Sequence, residues 1–420
     1  MRQILRNRPL QLIVVANMVS MVGSGMNAAA VFWHVLQMTH SEVTLGKLLV
    51  LQTVPALLLL PFSGVIIDRE DRRHLIMLLD FGRGALILGV AIIALRGQVQ
   101  LWQLYVMNTL VAAGFWLFWP TITALIQELT PGAEFVSSNT LLLAGVQGGW
   151  LIAGSVVGFL YNRIGLGWIL IIDFCTYVVS FVCYLMVRKG RVTVQPVASE
   201  NEVVAPLGAW DKYWHELKEG IVYLRTRPQI ILLGTSWALF LGAMLTQGAV
   251  TAPLSDRILH GGAVGYGWLN AGWGTGAFLT VFYSPALIAR WKSRRAAGYS
   301  LGVLALFIFL CPYSHFVWAA VALYIVMGSG RGLGGTAISS EMMELIPKHF
   351  MGRVQNTFYL AGTVLQLLLS IAVAAVAHRY SLSAAFAMIA FVYAVACVSA
   401  ILPDAAPLPA PIAMAEAAGE

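Results

Sequence analysis

Long apolar segments recur along nearly the whole of this 420-residue chain, and they limit its fold more than any other feature. An apolar run of about 20 residues is long enough to cross the hydrocarbon core of a bilayer as an α-helix. Only 11% of the residues are charged, whereas a soluble domain of ordinary composition has about 25%. The sequence therefore predicts an all-α integral membrane protein.

These segments predict twelve transmembrane helices. The first one follows several arginines in the manner of a signal peptide, but it is too long for a signal peptide and further spans follow it. The predicted spans are residues 10–37, 43–67, 75–95, 101–127, 137–161, 166–187, 229–253, 264–289, 297–313, 316–344, 356–377 and 382–402.

The distribution of positive charge predicts how these helices are oriented. An even number of spans places both termini on one side of the membrane, and most of the 26 Lys and Arg residues fall in segments on that side. Cytoplasmic loops carry such an excess, so we predict cytoplasmic termini in a multi-pass protein of a bacterial-type plasma (inner) membrane. The net charge of +7 then reflects topology and not a nucleic-acid partner, because no nucleic-acid recognition motif is present.

Sequence motifs give no support for an enzyme. Gly330 to Gly335 match the dinucleotide fingerprint GxGxxG, but they lie inside an apolar span and no strand precedes them. All four cysteines also fall inside spans, where they indicate neither a disulfide framework nor a metal site. We predict a protein that is not an enzyme and that has no catalytic residue, no cofactor and no metal ion.

The longest polar stretch divides the chain near its middle. We predict an N-terminal six-helix bundle at 1–187, a cytoplasmic linker at 188–228, a C-terminal six-helix bundle at 229–402 and a cytoplasmic tail at 403–420. Within the linker, residues 210–225 (WDKYWHELKEGIVYLR) place aromatic and aliphatic side chains on one helical face. Such a helix lies flat at a membrane interface, although an amphipathic helix packed against protein has the same pattern.

Two sequence patterns recur in the same order in both halves. ELTP at 128–131 precedes NTLLLAG at 139–145, and ELIP at 344–347 precedes NTFYLAG at 356–362. Parallel internal repeats on either side of a linker are typical of transporters built from two bundles, which bind their substrate between the bundles near the bilayer midplane.

The densest charge in the chain lies between spans two and three, in SGVIIDREDRRHL (63–75). Charge in a short cytoplasmic loop orients the helical hairpin, and this role accounts for Arg72 and Arg73. It does not account for Gly64, which lies one helical turn before Asp68 at the very end of a span.

This stretch resembles the loop signature of the major facilitator superfamily, which consists of a glycine, an Asp-Arg pair and a basic pair. Five further segments are similar to the branch of that superfamily that holds the enterobactin exporters and macrolide efflux proteins. They are LQMTHS (36–41), FWP (118–120), KEGIVYLRTRP (218–228), GGAVGYGWL (261–269) and MGRVQN (351–356). The resemblance implies the major facilitator fold, in which two pseudo-symmetric six-helix bundles of a monomer move a small-molecule substrate through the lipid bilayer by alternating access.

Three departures from the superfamily pattern concern gating and energy coupling. Arg290 stands where the signature Asp would align in the second half. Asn108 replaces the basic residue that many proton antiporters of the superfamily carry in span four, and span five lacks their Gly-Pro pair. The last two departures argue against drug–proton antiport, so protons are only one candidate partner.

We predict a gate at the cytoplasmic ends of the two bundles. Asp68 would latch these ends together by binding a nearby arginine or the positive N-terminal end of span eleven. The residues of this predicted gate are Gly64, Asp68, Arg69, Arg72, Arg73 and Arg353.

Polar side chains inside spans are costly, so they are candidates for substrate binding. Span one has a stripe of them at intervals of three or four residues, which predicts one polar helix face toward a cavity. Hydrogen bonding between helices would produce the same stripe. The candidates for substrate binding are Asn17, Ser24, Asn27, Gln52, Asn108, Trp119, Gln147, Trp237, Asn270 and Arg331.

Several ionisable side chains lie deep inside spans. Asp80 and Asp173 are candidates for proton coupling, although Asp80 can also pair with Arg83 one turn away. Arg331 lies about half way along span ten. We weigh a structural pair between Arg331 and Asp173 against a position facing the central cavity, where Arg331 would attract an anionic group.

These features predict a secondary active transporter that exports a small amphipathic or aromatic compound of the drug or siderophore type. Two alternatives keep the same fold: a lipid or lysophospholipid flippase, and an importer of a small organic anion. A channel is disfavoured because only span one has a clear polar stripe, and a receptor is disfavoured because the polar segments are too short for a sizeable soluble domain.

Overall fold

The structure is a computed structural model that describes residues 8–130, 135–187, 209–225 and 227–402. These residues are largely α-helical, and no strand occurs among them. The helices are α1 (Arg8–Thr39), α2 (Glu42–Arg69), α3 (Arg72–Leu95), α4 (Leu101–Leu129), α5 (Phe135–Met186), α6 (Ala209–Arg225), α7 (Pro228–Thr246), α8 (Gly248–Pro253), α9 (Gly262–Trp291), α10 (Ser293–Leu310), α11 (Val317–Leu345), α12 (Lys348–Arg379) and α13 (Leu382–Ile401). A π-helical turn (Leu254–Ile258) follows α8, and a 3-10 turn (Cys311–Tyr313) follows α10.

Ten helical segments of the described chain are long and apolar enough to cross a membrane. One of them, α5, is a pair of helices, because Gly165 interrupts it at φ 74° and ψ 178°, a conformation that only glycine adopts readily. A further segment, α9, has 30 residues and is about 45 Å long at 1.5 Å per residue. With the two arms of α5 counted separately and α9 added, the described helices number about twelve, in agreement with the sequence.

The chain reverses its direction at Gly165. Tyr161, before the turn, forms a 2.7 Å hydrogen bond with His34 near the end of α1, whereas Tyr184, after the turn, accepts a 2.8 Å hydrogen bond from Asn17 near the start of α1. The first arm of α5 (135–164) therefore runs away from the chain termini and the second arm (166–186) returns. We call the face with the start of α1 and the end of α13 the terminal face, and the face with Gly165 the distal face.

Buried apolar side chains form a large core in each half of the chain, and the core of the first half also takes in Ala249 of α8 and Tyr266 of α9. One core involves α1, α3 and α5 and encloses Ile87 and Tyr177, while the other involves α10, α11 and α13 and encloses Tyr324 and Phe386. We call the two halves the N-bundle (α1–α5) and the C-bundle (α7–α13). The helix α6 lies between them in the sequence, and the predicted domain bounds on either side of it stay predictions.

The two bundles approach each other most closely where the first arm of α5 crosses α9. A Cβ atom on Gly154 would lie 2.7 Å from the backbone N of Ala271, and a Cβ on Gly267 would lie 2.9 Å from the backbone N of Gly158. Side chains do not fit into this gap, so backbone packs directly on backbone. Since Gly158 lies close to the turn at Gly165, this contact joins the bundles toward the distal face.

On the terminal face, α6 packs its apolar side onto the C-bundle. Tyr213, Leu217 and Leu224 are buried, and the ring of Tyr223 stacks on Phe350 of α12 with ring centroids 4.4 Å apart. Both tryptophans of α6 stay exposed on its other side. The helix therefore combines a protein contact with a face that suits the membrane interface.

Candidate functional site

A cavity of ≈ 320 Å³ lies between the N-bundle and the C-bundle. Its aromatic walls come from both bundles and comprise Phe32, Trp150, Tyr266, Trp273 and Tyr324. Its uncharged polar side chains are mostly amides and comprise Gln52, Gln147, Gln247, Thr251 and Asn270. Arg331 is the one charged side chain that the described residues contribute to this lining.

Arg331 brings a positive charge close to the middle of the membrane. It follows the first residue of α11 by 14 positions, or about 21 Å of helix. Its Nε donates a hydrogen bond to Met244 Sδ at 3.0 Å, and its guanidinium carbon lies 5.9 Å from the ring centroid of Trp273. Within the described chain no carboxylate pairs with it, so the charge faces the cavity without a counterion of the protein.

Gln247 lies at the junction of α7 and α8, where its backbone stays helical at φ −57° and ψ −28°. Its side chain is 5% exposed, and its Oε1 atom has no hydrogen-bond partner. The π-helical turn that follows α8 is a feature often found at functional sites. Sequence reasoning missed Gln247, and the available signal was an amide next to a glycine inside an otherwise apolar span.

Four of the predicted binding residues line the cavity, namely Gln52, Gln147, Asn270 and Arg331. Asn108 lies behind this layer, because its Oδ1 accepts a 2.7 Å hydrogen bond from Gln52 Nε2 and its Nδ2 donates to the backbone O of Leu48. These two bonds fix the direction of the Gln52 amide, so Asn108 acts through Gln52.

The two predicted tryptophans take other positions. Trp119 stacks on Phe115 of its own helix with centroids 6.4 Å apart, and Trp237 lies 5.7 Å from the ring of Phe240 within α7. Neither belongs to the described lining of the cavity. Aromatic residues within apolar spans pack into a core more often than they face a cavity, and sequence alone did not separate these cases.

The polar stripe of span one faces the second arm of α5 and not the cavity, so the expectation about its direction was wrong. Three side chains of the stripe have hydrogen-bond partners on that arm. Asn17 donates to the hydroxyl of Tyr184, the hydroxyl of Ser24 bonds that of Tyr177 at 3.0 Å, and Asn27 donates to the carboxylate of Asp173 at 2.7 Å. Hydrogen bonding between helices explains the stripe, since each buried polar group needs a partner inside the membrane. Small residues of α1 such as Gly25 and Ala28 line the cavity instead.

Asp80 and Asp173 are buried in the N-bundle, and each has hydrogen-bond partners there. Asp80 accepts hydrogen bonds from Arg83 at 2.6 Å and from Ser180 at 2.7 Å. The Arg83 guanidinium lies over the rings of Phe118 and Tyr177. Asp80 therefore pairs with Arg83, as their spacing of one helical turn allows.

Asp173 belongs to the same region and not to Arg331. Besides the bond from Asn27, its backbone O accepts a 2.7 Å hydrogen bond from Thr176, and its side chain is 0% exposed. The alternative in which Arg331 and Asp173 form a structural pair is therefore not found, because each has other neighbours.

The charged loop ties the start of α3 to neighbouring helices. Asp71 caps α3 by accepting hydrogen bonds from the backbone N–H groups of Arg73 and His74, which explains an acid at this position of the loop. Arg72 forms a 2.8 Å ion pair with Glu128 at the end of α4.

The predicted latch at the terminal face stays a prediction. The side chains of Asp68 and Arg69 and the surroundings of Gly64 lie outside the described residues. Arg353 at the start of α12 forms a 3.0 Å ion pair with Glu219 of α6, so α6 bears on this region as well.

Polar contacts join the two bundles at the distal face. Glu42 at the start of α2 is 1% exposed and forms an ion pair with Arg257 of the π-helical turn; His378 of α12 lies 3.8 Å from the same carboxylate. Arg257 also donates to the backbone O of His40 at 2.8 Å. These contacts hold the start of α2, the π-helical turn and the end of α12 together at the distal face.

Comparison with known proteins identifies the family. The model of the Major Facilitator Superfamily matches residues 13–368. The chain belongs to this superfamily. It is 26% identical to the putative bacilysin exporter BacE of Bacillus amyloliquefaciens over 75% of this chain and 77% of that protein. It is 20% identical to macrolide efflux protein A of Streptococcus pyogenes over 84% of each protein.

Solved structures of other transporters share the fold at low sequence identity. The nucleoside transporter NupG matches with a TM-score of 0.72 and 12% identity, covering 94% of this chain and 99% of that protein. A POT family transporter matches with a TM-score of 0.71 and 14% identity over 93% and 95%. The predicted family and fold are thus confirmed: this is a multi-pass membrane transporter of the major facilitator type.

Proposed function

We propose that this transporter is a secondary active exporter of a small amphipathic or aromatic compound that carries an anionic group. The observation that supports this most directly is Arg331, an arginine without an acidic partner in the described chain, on the wall of an otherwise uncharged aromatic cavity between the bundles. The exporters among the relatives favour the direction of transport.

The chemistry of the cavity suits such a compound. A cation near the bilayer centre costs about 2.5 to 3.5 kcal/mol on insertion scales unless water or a partner stabilises it. A carboxylate or phosphate could accept two parallel hydrogen bonds from the Arg331 guanidinium. The rings of Tyr266, Trp273 and Tyr324 would pack on the apolar part of the compound, and the free Oε1 of Gln247 would accept a hydrogen bond from it.

Alternating access would expose this cavity to one side at a time. With the termini in the cytoplasm of a bacterial-type cell, as the positive charges favour, the cavity would load at the terminal face while the contacts of Glu42 with Arg257 and His378 hold the distal face closed. A single chain contains both bundles and the cavity, so we propose a monomer as the working unit.

Transport into inside-out membrane vesicles tests the proposal. Aromatic carboxylates and their neutral amides should be compared, with and without an imposed pH gradient. The wild type should accumulate the carboxylates preferentially, and Arg331→Ala should lower their apparent affinity at least about tenfold, with Arg331→Lys retaining part of it. Arg163→Ala is the matched control, since Arg163 lies over the ring of Phe159 and away from the cavity lining.

The same experiment separates the alternatives. Accumulation of a labelled lysophospholipid, and of no carboxylate, would favour the flippase. Uptake only into right-side-out vesicles would favour the importer of an organic anion. Equal transport of carboxylates by the wild type and by Arg331→Ala would contradict the proposed role of Arg331.

A further inference from the structure

A second pocket lies at the distal face, again between the two bundles. The N-bundle contributes Trp33, His34, Gln37 and Tyr161, and the C-bundle contributes Asp256 from the π-helical turn. The volume of this distal pocket is ≈ 520 Å³, which lies in the range of small-molecule sites.

A pair of aromatic rings separates the distal pocket from the central cavity. Trp33 lines the distal pocket and Tyr266 lines the central cavity, and their rings stack with centroids 5.7 Å apart. Both side chains are 5% exposed. A ligand in the distal pocket therefore does not occupy the proposed substrate site, and the two pockets are distinct.

The distal pocket contains a negative charge without a counterion. The carboxylate of Asp256 accepts a 3.3 Å hydrogen bond from the neutral amide of Gln37, and within the described residues it forms no ion pair. The neighbouring Arg257 is engaged elsewhere, with Glu42 and with the backbone O of His40. The pocket thus offers a carboxylate that is free to bind a cation.

Aromatic rings complete the chemistry of this pocket. Trp33 and Tyr161 line it, and a 2.7 Å hydrogen bond between His34 Nδ1 and the Tyr161 hydroxyl holds the phenol in place. A carboxylate next to aromatic rings is an environment that binds organic ammonium groups, because the ring faces and the carboxylate both attract the cation. A metal ion fits less well, since the described residues include no cluster of three or more metal-ligating side chains.

We propose that the distal pocket binds a small protonated amine from the distal side, and that the bound amine holds the distal face closed. Its walls come from both bundles, so a ligand that contacts Asp256 and the N-bundle rings together binds only while the bundles are joined. Such a ligand stabilises that arrangement by mass action. Amines on the distal side then slow transport, whatever compound the central cavity carries, and the inference goes beyond the proposed function.

Calorimetry on the purified full-length chain in lipid nanodiscs tests the binding. The probe is 2-phenylethylammonium, and 2-phenylethanol is the neutral compound of nearly the same shape. The ammonium should bind at least about tenfold more tightly than the alcohol, and Asp256→Asn should remove this preference. Asp211→Asn, which removes one exposed carboxylate from α6 at the opposite face, should leave it intact.

Spin-label distances test the effect on the bundles. Labels at Gln98→Cys and His315→Cys, in exposed distal loops of the N-bundle and the C-bundle, report their separation in a chain whose four native cysteines are replaced by alanine. The ammonium should enlarge the population with the short distance, and Asp256→Asn should abolish this shift. Three results would each overturn the proposal. They are an unchanged affinity of Asp256→Asn for the ammonium, spin-label distances that the ammonium does not change, and binding of sodium ions as tight as that of the ammonium.

Discussion

Arg73 and Arg294 bind the end of the last helix of their own bundle in the same way. Arg73, the second residue of α3, donates to the backbone O atoms of Tyr184 and Leu185 at 2.7 and 2.6 Å. Arg294, the second residue of α10, donates to the backbone O of Ala400 at 3.0 Å and to that of the residue two positions later, Leu402. The last carbonyl groups of a helix lack intrahelical donors and carry partial negative charge, so each arginine satisfies them.

This relationship predicts that Arg73 contributes to stability. Arg73→Ala removes two charge-assisted hydrogen bonds, one part-buried and one exposed, and should lower the free energy of unfolding by about 1.5 to 3 kcal/mol. Arg294→Ala should have an effect of similar size, because it breaks the corresponding contact in the C-bundle. Unfolding in mixed micelles with a denaturing detergent measures both.

Arg295→Ala provides the control for these variants. Arg295 is the exposed neighbour of Arg294, and its removal should change the free energy of unfolding by less than about 0.5 kcal/mol. Equal losses in Arg294→Ala and Arg295→Ala would show that total positive charge matters more than the two carbonyl contacts.

The sequence predicts the fold well because apolar runs of spanning length directly encode transmembrane helices. The turn at Gly165 also falls between two predicted spans. The direction of a polar stripe is harder to predict, as Asn27 illustrates: an amide that lines a cavity and an amide that binds Asp173 follow the same helical spacing. Gln247 was missed because the composition of span seven does not show that this amide faces the cavity.

The buried pair of Asp80 and Arg83 should depend strongly on both partners. Asp80→Asn leaves the guanidinium of Arg83, which is 3% exposed, without its counterion and should destabilise the protein by about 3 to 5 kcal/mol. Replacing both residues by leucine should restore much of this loss, because an apolar pair needs no compensation inside the membrane. Chemical unfolding of the two single variants and the double variant gives the coupling energy.

A partly exposed ion pair is the control for this cycle. Glu219 and Arg353 form a contact of similar length at the terminal face, but both side chains reach solvent. Glu219→Gln should cost less than about 1 kcal/mol. A loss in Asp80→Asn no larger than that in Glu219→Gln would contradict the view that burial gives the Asp80–Arg83 pair its importance.

Asp173 allows a test of proton coupling without loss of the fold. In Asp173→Asn the side-chain oxygen still accepts the hydrogen bond from Asn27, so the contact between α1 and the second arm of α5 should persist. If Asp173 carries the coupling proton, the variant should lose accumulation driven by a pH gradient but keep substrate exchange at equal concentrations. Loss of both activities in a folded variant would assign Asp173 a structural role. Retention of both activities would show that Asp173 has neither a coupling nor a structural role.

The crossing of α5 and α9 should control the equilibrium between distal-closed and distal-open states. A methyl group in Gly267→Ala would lie 2.9 Å from the backbone N of Gly158 and 3.2 Å from the backbone O of Gly154, so the backbones must separate. We expect a larger share of Gly267→Ala molecules than of wild-type molecules to have a long distance between spin labels at Gln98→Cys and His315→Cys, and this long distance corresponds to the distal-open state. Gly148→Ala, on the same arm of α5, meets no atom within 4 Å and should leave the distances unchanged. Identical distance distributions in both glycine variants would show that this contact does not hold the distal face closed.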